Sequence, residues 1–293
     1  MQFDPDQLNA LTHILRQGSF EGAAADLSVT PSAISQRIRA LEDRVGAVLI
    51  NRGTPCTATP TGARLAKHAE DVGLLEAQLA RDLGLEAAPG PVVMRIAVNA
   101  DSLATWFMGA LAQVEDVLFD LVVDDESYSA DWLRRGEVSA AVTAQGRPVP
   151  GCDSIPLGAL RYLATASPGF MARWFPEGVS AAAMARAPRV TFNAKDALQR
   201  IWVARHIGPC PSAPAHFVPS THAFIDAALH GFGWGMNPEA LVRDAVAEGR
   251  LVPLLPEAPL DVALRWQVSR IMAAPLAPLT SAIRRVAAQQ LVS

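Results

Sequence analysis

The sequence predicts an α/β protein in three parts: an N-terminal winged helix–turn–helix, a linker helix, and a C-terminal module in which strands and helices alternate. Three observations support this fold class. Short amphipathic segments separated by tight turns open the chain, and a longer segment then carries apolar residues at heptad spacing. Strand-like and helix-like runs alternate over residues 91–293.

The 293 residues are half apolar and carry a net charge of −4. We therefore expect folded cores and no general coating of nucleic acid or anionic membrane, although a small local DNA contact is compatible with this charge. The three cysteines, Cys56, Cys152 and Cys210, fit neither a disulfide framework nor a zinc cluster, and we interpret them as reduced thiols in the cytoplasm. Signal-peptide features and membrane-length apolar runs are both missing, so neither export nor membrane insertion is expected.

The first two helices are predicted from their caps and their apolar spacing. The segment Asp4-Pro5-Asp6-Gln7 resembles a capping box, and Gly18 ends the helix that follows. The buried stripe of this first helix consists of Leu8, Leu11 and Leu15. Ser19 can cap a second, short helix. The apolar face of the second helix consists of Phe20, Ala23, Ala24 and Leu27.

The third helix is predicted to run from Pro31, after the cap Thr30, to the glycine at Gly46. Its apolar residues, at helical spacing, are Ile34, Ile38, Leu41 and Val45. Its opposite face presents small polar and basic side chains: Ser32, Gln36 and Arg39, with Ser35 on the flank. Such a face fits the major groove of B-DNA, where Ser, Gln and Arg can bond base edges while Arg37 reaches phosphate.

An ordinary solvated helix face would look the same, so the context of this helix decides its interpretation. Two short helices joined by a tight turn form the helix–turn–helix pattern. After Gly46, the apolar residues 48–50, the turn signal at residues 51–55 and the strand-like residues 57–59 predict a β-hairpin wing. Arg52, at the tip of this wing, can reach a phosphate or the minor groove.

A linker helix is predicted from Thr61 to about Leu85, with Leu65, Val72 and Leu79 seven residues apart. A single helix cannot bury that stripe alone. The stripe can pack on its own domain, or it can pair antiparallel with a second copy of the chain. The sequence at residues 87–91 then breaks the helix and forms a hinge.

The remaining chain predicts two successive sets of strands and helices. The first set comprises strands at 92–98, 119–123 and 139–143 and helices at 102–117 and 130–135. The second set comprises strands at 189–192, 216–218 and 231–236 and helices at 169–174, 195–206 and 223–230. A helix after Pro238, a strand at 261–268 and a helix at 277–291 complete the module.

In such a module a ligand lies at the carboxyl ends of the strands. Asn99, Asp101 and Ser102 join the first strand to a helix N-terminus, which can hold a carboxylate. Asp124 and Glu126 leave the second strand as part of an acidic run that is either solvated or opposed by a cation. A basic amino acid would satisfy both features. Two further predicted ligand-binding residues, Thr143 and Asn193, also lie at strand ends.

Motifs in the first 62 residues resemble the winged helix–turn–helix of LysR-type transcriptional regulators. These motifs are Ser19-Phe20, Ala23-Ala24, Leu27, Thr30-Pro31-Ser32-Ala33-Ile34-Ser35, Ile38, Leu41-Glu42, Gly46, Leu49, Arg52 and Thr59-Pro60-Thr61-Gly62. The resemblance implies a DNA-binding domain at 1–60, a linker helix at 61–88 that dimerises through Leu65, Val72 and Leu79, and an effector-binding domain at 91–293. That domain is expected to have a two-lobed, periplasmic-binding-protein-like fold, with lobe I at about 91–165 and 267–293 and lobe II at about 166–266.

Further segments resemble the LysR-type branch that senses lysine and arginine and activates genes for their export. They are residues 97–106, 133–138 and 158–162, together with Ser35-Gln36-Arg37-Ile38. The resemblance implies a regulator whose activity on operator DNA is controlled by lysine or arginine. The alternatives are a LysR-type regulator that responds to a different small metabolite, and a solute-binding receptor. The implied partners are double-stranded operator DNA, the effector, RNA polymerase, and further copies of the chain in a homodimer or homotetramer.

The head departs from the family in its charge. It contains five arginines, no lysine and six acidic residues, and the wing residues 55–58 include no basic side chain. DNA affinity would then depend on few phosphate contacts and on the avidity of a dimer.

An enzyme is not expected. None of the six histidines has paired-ligand spacing, and the chain contains no nucleophile elbow, phosphate loop or dinucleotide fingerprint. The glycine-rich residues 231–235 predict a close-packed strand. No metal or cofactor is therefore predicted.

Overall fold

The structure, a computed structural model, describes residues 2–85, 92–124, 129–144, 147–209 and 212–293. Over these residues, none of the helices is both long enough and apolar enough to span a bilayer. Cys56 and Cys152 are free thiols. Cys210 lies outside the described residues.

The head begins with three helices, α1 (Pro5–Gln17), α2 (Phe20–Asp26) and α3 (Pro31–Val45), as the caps predict. Asp4, Ser19 and Thr30 each accept a hydrogen bond from a backbone N–H in the first turn of their helix. The helices enclose a core that includes Leu8, Leu11, Ile14, Ala23, Ile34, Ile38 and Leu41. Leu15 is only partly buried, whereas Ile14, which the predicted stripe did not include, is fully buried.

The wing consists of β1 (Ile50–Asn51) and β2 (Thr57–Ala58), which pair antiparallel. The Glu42 side chain of α3 holds the start of the wing in place, because Glu42 Oε1 accepts a hydrogen bond of 2.8 Å from the backbone N–H of Leu49. Gly62 sits so close to this segment that a Cβ there would lie 2.0 Å from the Leu49 carbonyl oxygen. The last position of the motif Thr59-Pro60-Thr61-Gly62 therefore requires glycine for steric reasons.

The buried side of the linker helix α4 (Pro60–Asp82) packs against the head near its start and against the C-terminal module further along. Leu65 packs in the head core and Leu74 in the core of the C-terminal module. The Asp71 carboxylate accepts hydrogen bonds from Lys67 Nζ, at 2.5 Å, and from Ser139 Oγ, at 3.0 Å. The structure thus corrects the predicted dimer stripe: Leu65 is covered by its own head and cannot meet a second copy.

The first half of the C-terminal module contains β3 (Val92–Val98), a helical stretch, β4 (Val117–Val123), α7 (Ser129–Arg134), β5 (Ala140–Thr143) and β6 (Cys152–Ala166). The helical stretch comprises α5 (Ala100–Ser102), a π-helical turn (Leu103–Phe107) and α6 (Met108–Leu111). It ends earlier than predicted because residues 112–116 turn the chain toward β4, with Asp116 in a left-handed conformation.

The second half begins with α8 (Pro168–Trp174), α9 (Ala181–Met184), β7 (Arg189–Thr191), α10 (Leu198–His206) and β8 (Ala215–Phe217). It continues with α11 (Thr221–Leu229), β9 (Gly235–Pro238), α12 (Glu239–Ala247), β10 (Val252–Pro253), β11 (Leu260–Ser269), a 3₁₀ turn (Arg270–Met272) and α13 (Ala277–Gln290). We call the part built around β3, β4 and β5 the first lobe, and the part around β7, β8 and α10 the second lobe.

A seven-stranded mixed sheet joins the two lobes in the order β10-β6-β11-β5-β3-β4, with β9 also paired to β6. The strands β3, β4 and β5 are parallel, so their carboxyl ends share one edge. The long strands β6 and β11 run antiparallel beside each other. Arg161 and Asp261 face each other on these strands with bonds of 2.7 and 2.8 Å, and this pairing lowers the pKa of the Asp261 carboxyl.

Strand β6 is the main element that the sequence did not predict. Pro156 and Gly158 interrupt its pattern, and both residue types ordinarily argue against a strand interior. They lie at a bulge opposite Leu264 and Arg265. Gly158 has φ of +113°, and a Cβ there would lie 2.7 Å from the Val292 carbonyl oxygen, so the C-terminal residues dock where only glycine fits.

Candidate effector cleft and DNA-reading helix

A cleft of about 40 Å³ lies between the lobes, at the carboxyl ends of β3 and β4. The cleft is lined by residues of the first lobe and by residues at helix starts and strand ends of the second lobe. They are Asn99, Ala100, Asp101, Asp124, Phe192, Asp196, Leu198, Thr221, Phe224, Met236, Asn237 and Pro238. Three of the predicted ligand-binding residues, Asn99, Asp101 and Asp124, therefore meet in one place. Apolar side chains form much of the remaining wall.

Asn99 precedes the first helical turn after β3 and is only 2% exposed. Neither its side-chain Oδ1 nor its Nδ2 has a hydrogen-bond partner among the described residues. The hydroxyl of Ser102 is likewise buried and unpartnered within the described chain, although Ser102 does not line the cleft. Because buried polar groups are normally paired, the Asn99 amide is an exception among the described residues.

Asp101 connects the two lobes across the cleft. Its Oδ2 accepts a hydrogen bond of 2.8 Å from the hydroxyl of Tyr162 on β6, and its Oδ1 accepts one of 2.8 Å from Thr221 at the start of α11. Each carboxylate oxygen can accept more than one hydrogen bond, so the Tyr162 and Thr221 contacts do not use the full acceptor capacity of the Asp101 carboxylate.

Asp124 also faces the second lobe. Its Oδ2 accepts a hydrogen bond of 3.0 Å from the indole Nε1 of Trp132, and its Oδ1 lies 3.6 Å from Nζ of Lys195. Its side chain is 24% exposed. The acidic group that follows β4 is thus held in place by Trp132 and opposed by a cation of the protein itself.

Two cleft residues, Asp196 and Asn237, were not predicted from the sequence. Asp196 accepts hydrogen bonds from the backbone of Phe192 and Leu198 and so fixes the start of α10. Asn237 is fully buried; its Nδ2 donates to Thr165 Oγ1 at 2.9 Å, and its Oδ1 has no partner among the described residues. A polar side chain near the carboxyl end of β9 was the signal that could have identified Asn237.

Three predicted residues, Ser102, Thr143 and Asn193, do not line the cleft, and these placements correct the prediction. Thr143 lies on β5, which is covered by strands on both sides, and its hydroxyl accepts a hydrogen bond of 2.9 Å from Gln267. Asn193 uses its Oδ1 to accept from the backbone N–H groups of Lys195 and Asp196, which forms the turn before α10. Glu126 lies outside the described residues.

The polar face of α3 is accessible. Ser32, Gln36 and Arg39 are exposed, whereas Ser35 is half-buried on the flank. This face contains hydrogen-bond donors and acceptors without bulky side chains, as base reading in a major groove requires.

Three other arginines of the head have internal contacts. The Arg37 guanidinium donates a hydrogen bond of 2.9 Å to Asp6 Oδ2, and the Arg44 guanidinium donates one of 2.6 Å to the Gln2 carbonyl oxygen. The Arg52 guanidinium lies 5.0 Å from the centroid of the Phe20 ring. These contacts orient the arginines, and an approaching phosphate would have to compete with Asp6 for Arg37.

Over the residues that the structure describes, no cluster of three or more His, Cys, Asp or Glu side chains is arranged to hold a metal ion.

Two family models match the chain. The model described as "Bacterial regulatory helix-turn-helix protein, lysR family" matches residues 5–63. The model described as "LysR substrate binding domain" matches residues 93–289. The match to the second model covers the module that contains the cleft, and the match to the first contains the polar face of α3.

Known regulators are similar over nearly the whole chain. The HTH-type transcriptional regulator LysG of Mycobacterium tuberculosis (strain ATCC 25618 / H37Rv) is 42% identical over 286 residues, which cover 98% of this chain and 94% of that protein. The crystal structure of ArgP from Mycobacterium tuberculosis has 41% identity and a TM-score of 0.79, with 100% of both chains covered. Full-length LysG from Corynebacterium glutamicum with bound effector Arg has 36% identity and a TM-score of 0.67, covering 99% of this chain and 100% of that one. These relatives are transcriptional regulators and not enzymes.

Proposed function

Because the chain belongs to the LysR family of DNA-binding transcriptional regulators, we propose that its cleft binds a basic amino acid, lysine or arginine, and that this ligand controls the protein's activity on operator DNA. The observation that carries the proposal is the pairing, in one cleft, of the Asn99 amide, which has no partner among the described residues, with acidic groups from the first lobe. The bound Arg of the related LysG supports the same ligand class.

The ligand's α-carboxylate is assigned to the start of the helical stretch after β3. The first backbone N–H groups of a helix have no intrahelical partners, and the helix dipole favours an anion there. Asn99 Nδ2 adds a buried donor without a partner among the described residues. Asn237 Oδ1, which is also unpartnered there, is an acceptor for an ammonium group.

The two positive charges of the ligand are assigned to the two acids. Asp101 can accept from the α-ammonium in addition to Tyr162 and Thr221. Asp124 is assigned the side-chain ammonium or guanidinium, in the position where Lys195 now opposes it. The acid that follows β4 selects for a cationic ligand end, since a neutral side chain that displaced Lys195 would leave the Asp124 charge without an opposing cation.

Binding is expected to change the relation between the lobes. A cleft of about 40 Å³ holds little more than a few water molecules, so an amino acid requires the lobes to separate or Lys195 to move. Asp101 with Thr221, and Asp124 with Lys195, are contacts across that boundary. A ligand that replaces such contacts favours a different arrangement of the lobes.

The linker helix provides the connection to the head. Leu74 packs in the core of the C-terminal module, and Asp71 accepts a hydrogen bond from Ser139, directly before β5. Leu65 fixes the same helix to the head core. We assign dimerisation to the exposed side of α4, which includes Leu79, so that a rearrangement of the lobes changes the spacing of two reading helices on the operator.

On DNA, Gln36 and Arg39 are assigned to base edges, with Ser32 and Ser35 beside them, and Arg37 and Arg52 to phosphate. Their exposure and polarity support this assignment, and the resemblance supports activation of a gene for basic amino acid export as the regulatory outcome. The homodimer or homotetramer, with RNA polymerase as a further partner, belongs to the same proposal.

The test is a thermal-shift screen of the full chain with each of the twenty amino acids, followed by footprinting on its promoter DNA. A ligand that binds only the native state raises the melting temperature, by an amount that grows with ligand concentration. Lysine or arginine should stabilise the protein and change the footprint, while leucine and glutamate should do neither. Stabilisation by a neutral or acidic amino acid instead would assign the cleft to a different metabolite.

A further inference from the structure

A second cavity, of about 230 Å³, lies in the second lobe on the opposite face of α10 from the cleft. Leu198 of α10 lines the cleft, whereas Arg200, Val203 and Ala204 of the same helix line the second cavity. At about 100° per residue, these three positions lie roughly 140–240° around the helix from Leu198. The two spaces are therefore separate.

Three N–H-bearing side chains line this second cavity: Arg189, Arg200 and Trp234. The Nε of Arg189 and the indole Nε1 of Trp234 are buried and have no hydrogen-bond partner among the described residues. Trp234 is only 1% exposed. Neither arginine forms an ion pair within the described part of the chain. Two guanidinium groups that line one space without an ion pair in the described part of the chain are suited to a molecule that supplies an anionic acceptor.

Over the described residues, the remaining wall is apolar and includes Met184, Val203 and Ala204. An apolar wall beside two guanidinium groups matches a molecule with an anionic end and an apolar body. The volume is larger than the roughly 150 Å³ of an engineered protein cavity that admits benzene. A small aromatic or branched carboxylate therefore fits in size as well as in charge.

We propose that this cavity is a second ligand site, which binds a small organic carboxylate through Arg189 and Arg200. The site takes an anion with an apolar body, whereas the cleft takes a basic amino acid. It stands on the geometry of the second lobe alone and does not depend on which ligand the cleft binds. Strand β7 and helix α10 border both spaces, since Arg189 lines the cavity and Phe192, just beyond β7, lines the cleft.

The experiment is isothermal titration calorimetry of the full chain with benzoate, hexanoate and the neutral analogue benzamide. Benzoate or hexanoate should bind saturably with one site per chain, and benzamide should not bind. Saturation of the protein with arginine beforehand should leave the carboxylate site available. If arginine abolishes the carboxylate signal, the carboxylate occupies the cleft and the proposal is overturned.

Two variants test whether the arginines bind the carboxylate or have only a structural role. Arg189→Gln and Arg200→Gln should each weaken carboxylate binding by about tenfold or more, because each removes a charged donor. Arg186→Gln changes an exposed arginine of the same lobe outside the cavity and should have no effect. Arg200 is itself exposed, so its replacement tests the site without threatening the fold. Absence of saturable binding by both carboxylates, or equal losses in all three variants, would overturn the proposal.

Discussion

Lys195 Nζ of the second lobe lies 3.6 Å from Asp124 Oδ1 of the first lobe, so the protein's own ammonium group faces the carboxylate proposed to select a basic ligand. The distance is longer than a direct hydrogen bond, and the Lys195 side chain is 48% exposed. A partly solvated pair of this length contributes little to stability. A ligand cation that makes a shorter, less solvated contact can therefore displace Lys195.

Asp124→Asn should weaken the binding of lysine and arginine by about 2–5 kcal/mol, because the change removes the charge that compensates their cationic end. Calorimetry with lysine, arginine and leucine measures this loss. Asp131→Asn is the matched control, since Asp131 pairs with Arg134 on α7 of the same lobe, away from the cleft. If Asp124→Asn leaves lysine and arginine binding intact, another group recognises the cation.

Lys195→Gln should strengthen lysine and arginine binding by roughly twofold to fivefold, because it removes an internal competitor whose ion pair is worth at most about 1 kcal/mol. The same calorimetric series measures the gain. Arg250→Gln, which breaks the Glu248 ion pair elsewhere in the second lobe, should change nothing. Weaker binding in Lys195→Gln would instead indicate that Lys195 contacts the ligand carboxylate.

Gln36→Ala should cost about 1–3 kcal/mol on the operator and little on random DNA, because Gln36 is proposed to bond base edges. Fluorescence anisotropy with both DNAs at one salt concentration measures the two affinities. Gln289→Ala, an exposed glutamine of α13, is the control for the substitution itself. Equal losses on operator and random DNA would assign Gln36 to general DNA affinity.

Leu79→Asp should dissociate the oligomer at micromolar concentration, because a charge would be placed in the proposed seam of two α4 helices. Leu79 is 58% exposed in the single chain, so the folded protomer tolerates the change. Val72 is half-buried on the same helix and is expected at the seam. Analytical ultracentrifugation gives the result, with Phe232→Asp as an exposed apolar control in the second lobe. A dimer that persists in Leu79→Asp would place dimerisation on another surface.

Glu70→Gln should raise the melting temperature near pH 7 by about 1–2 °C. Burial raises the pKa of the Glu70 carboxyl above its ordinary value of 4.5, although Lys67 and Arg95 act in the opposite direction. The folded chain thus binds this proton more tightly than the unfolded chain, and stability falls as pH rises from 4.5 through the raised pKa.

The advantage of Glu70→Gln should therefore vanish below pH 4.5, where Glu70 is protonated in both states. Differential scanning calorimetry across this pH range tests the dependence. Glu76→Gln, an exposed glutamate of the same helix, serves as the control. A pH-independent difference would assign the effect to something other than the Glu70 proton.

The sequence by itself determined the head and the order of the remaining elements. Caps such as Asp4, Ser19 and Thr30 act on their own helices, and apolar spacing identifies a buried face without knowledge of its partner. The cleft residues Asn99, Asp101 and Asp124 were predicted because the ends of neighbouring parallel strands share one edge. All of these inferences depend on local chemistry or on a general rule of α/β sheets.

Tertiary structure alone decided which of these side chains meet and which are already buried in a core or hydrogen-bonded within the protein. Leu65 fits a heptad stripe, but the head core covers it, and Thr143 ends a strand, but Gln267 bonds its hydroxyl. Strand β6 forms despite Pro156 because its pairing with β11 outweighs local preference. The contact of Lys195 with Asp124 joins residues that are far apart in the chain, and such a distance depends on how the two lobes fold against each other.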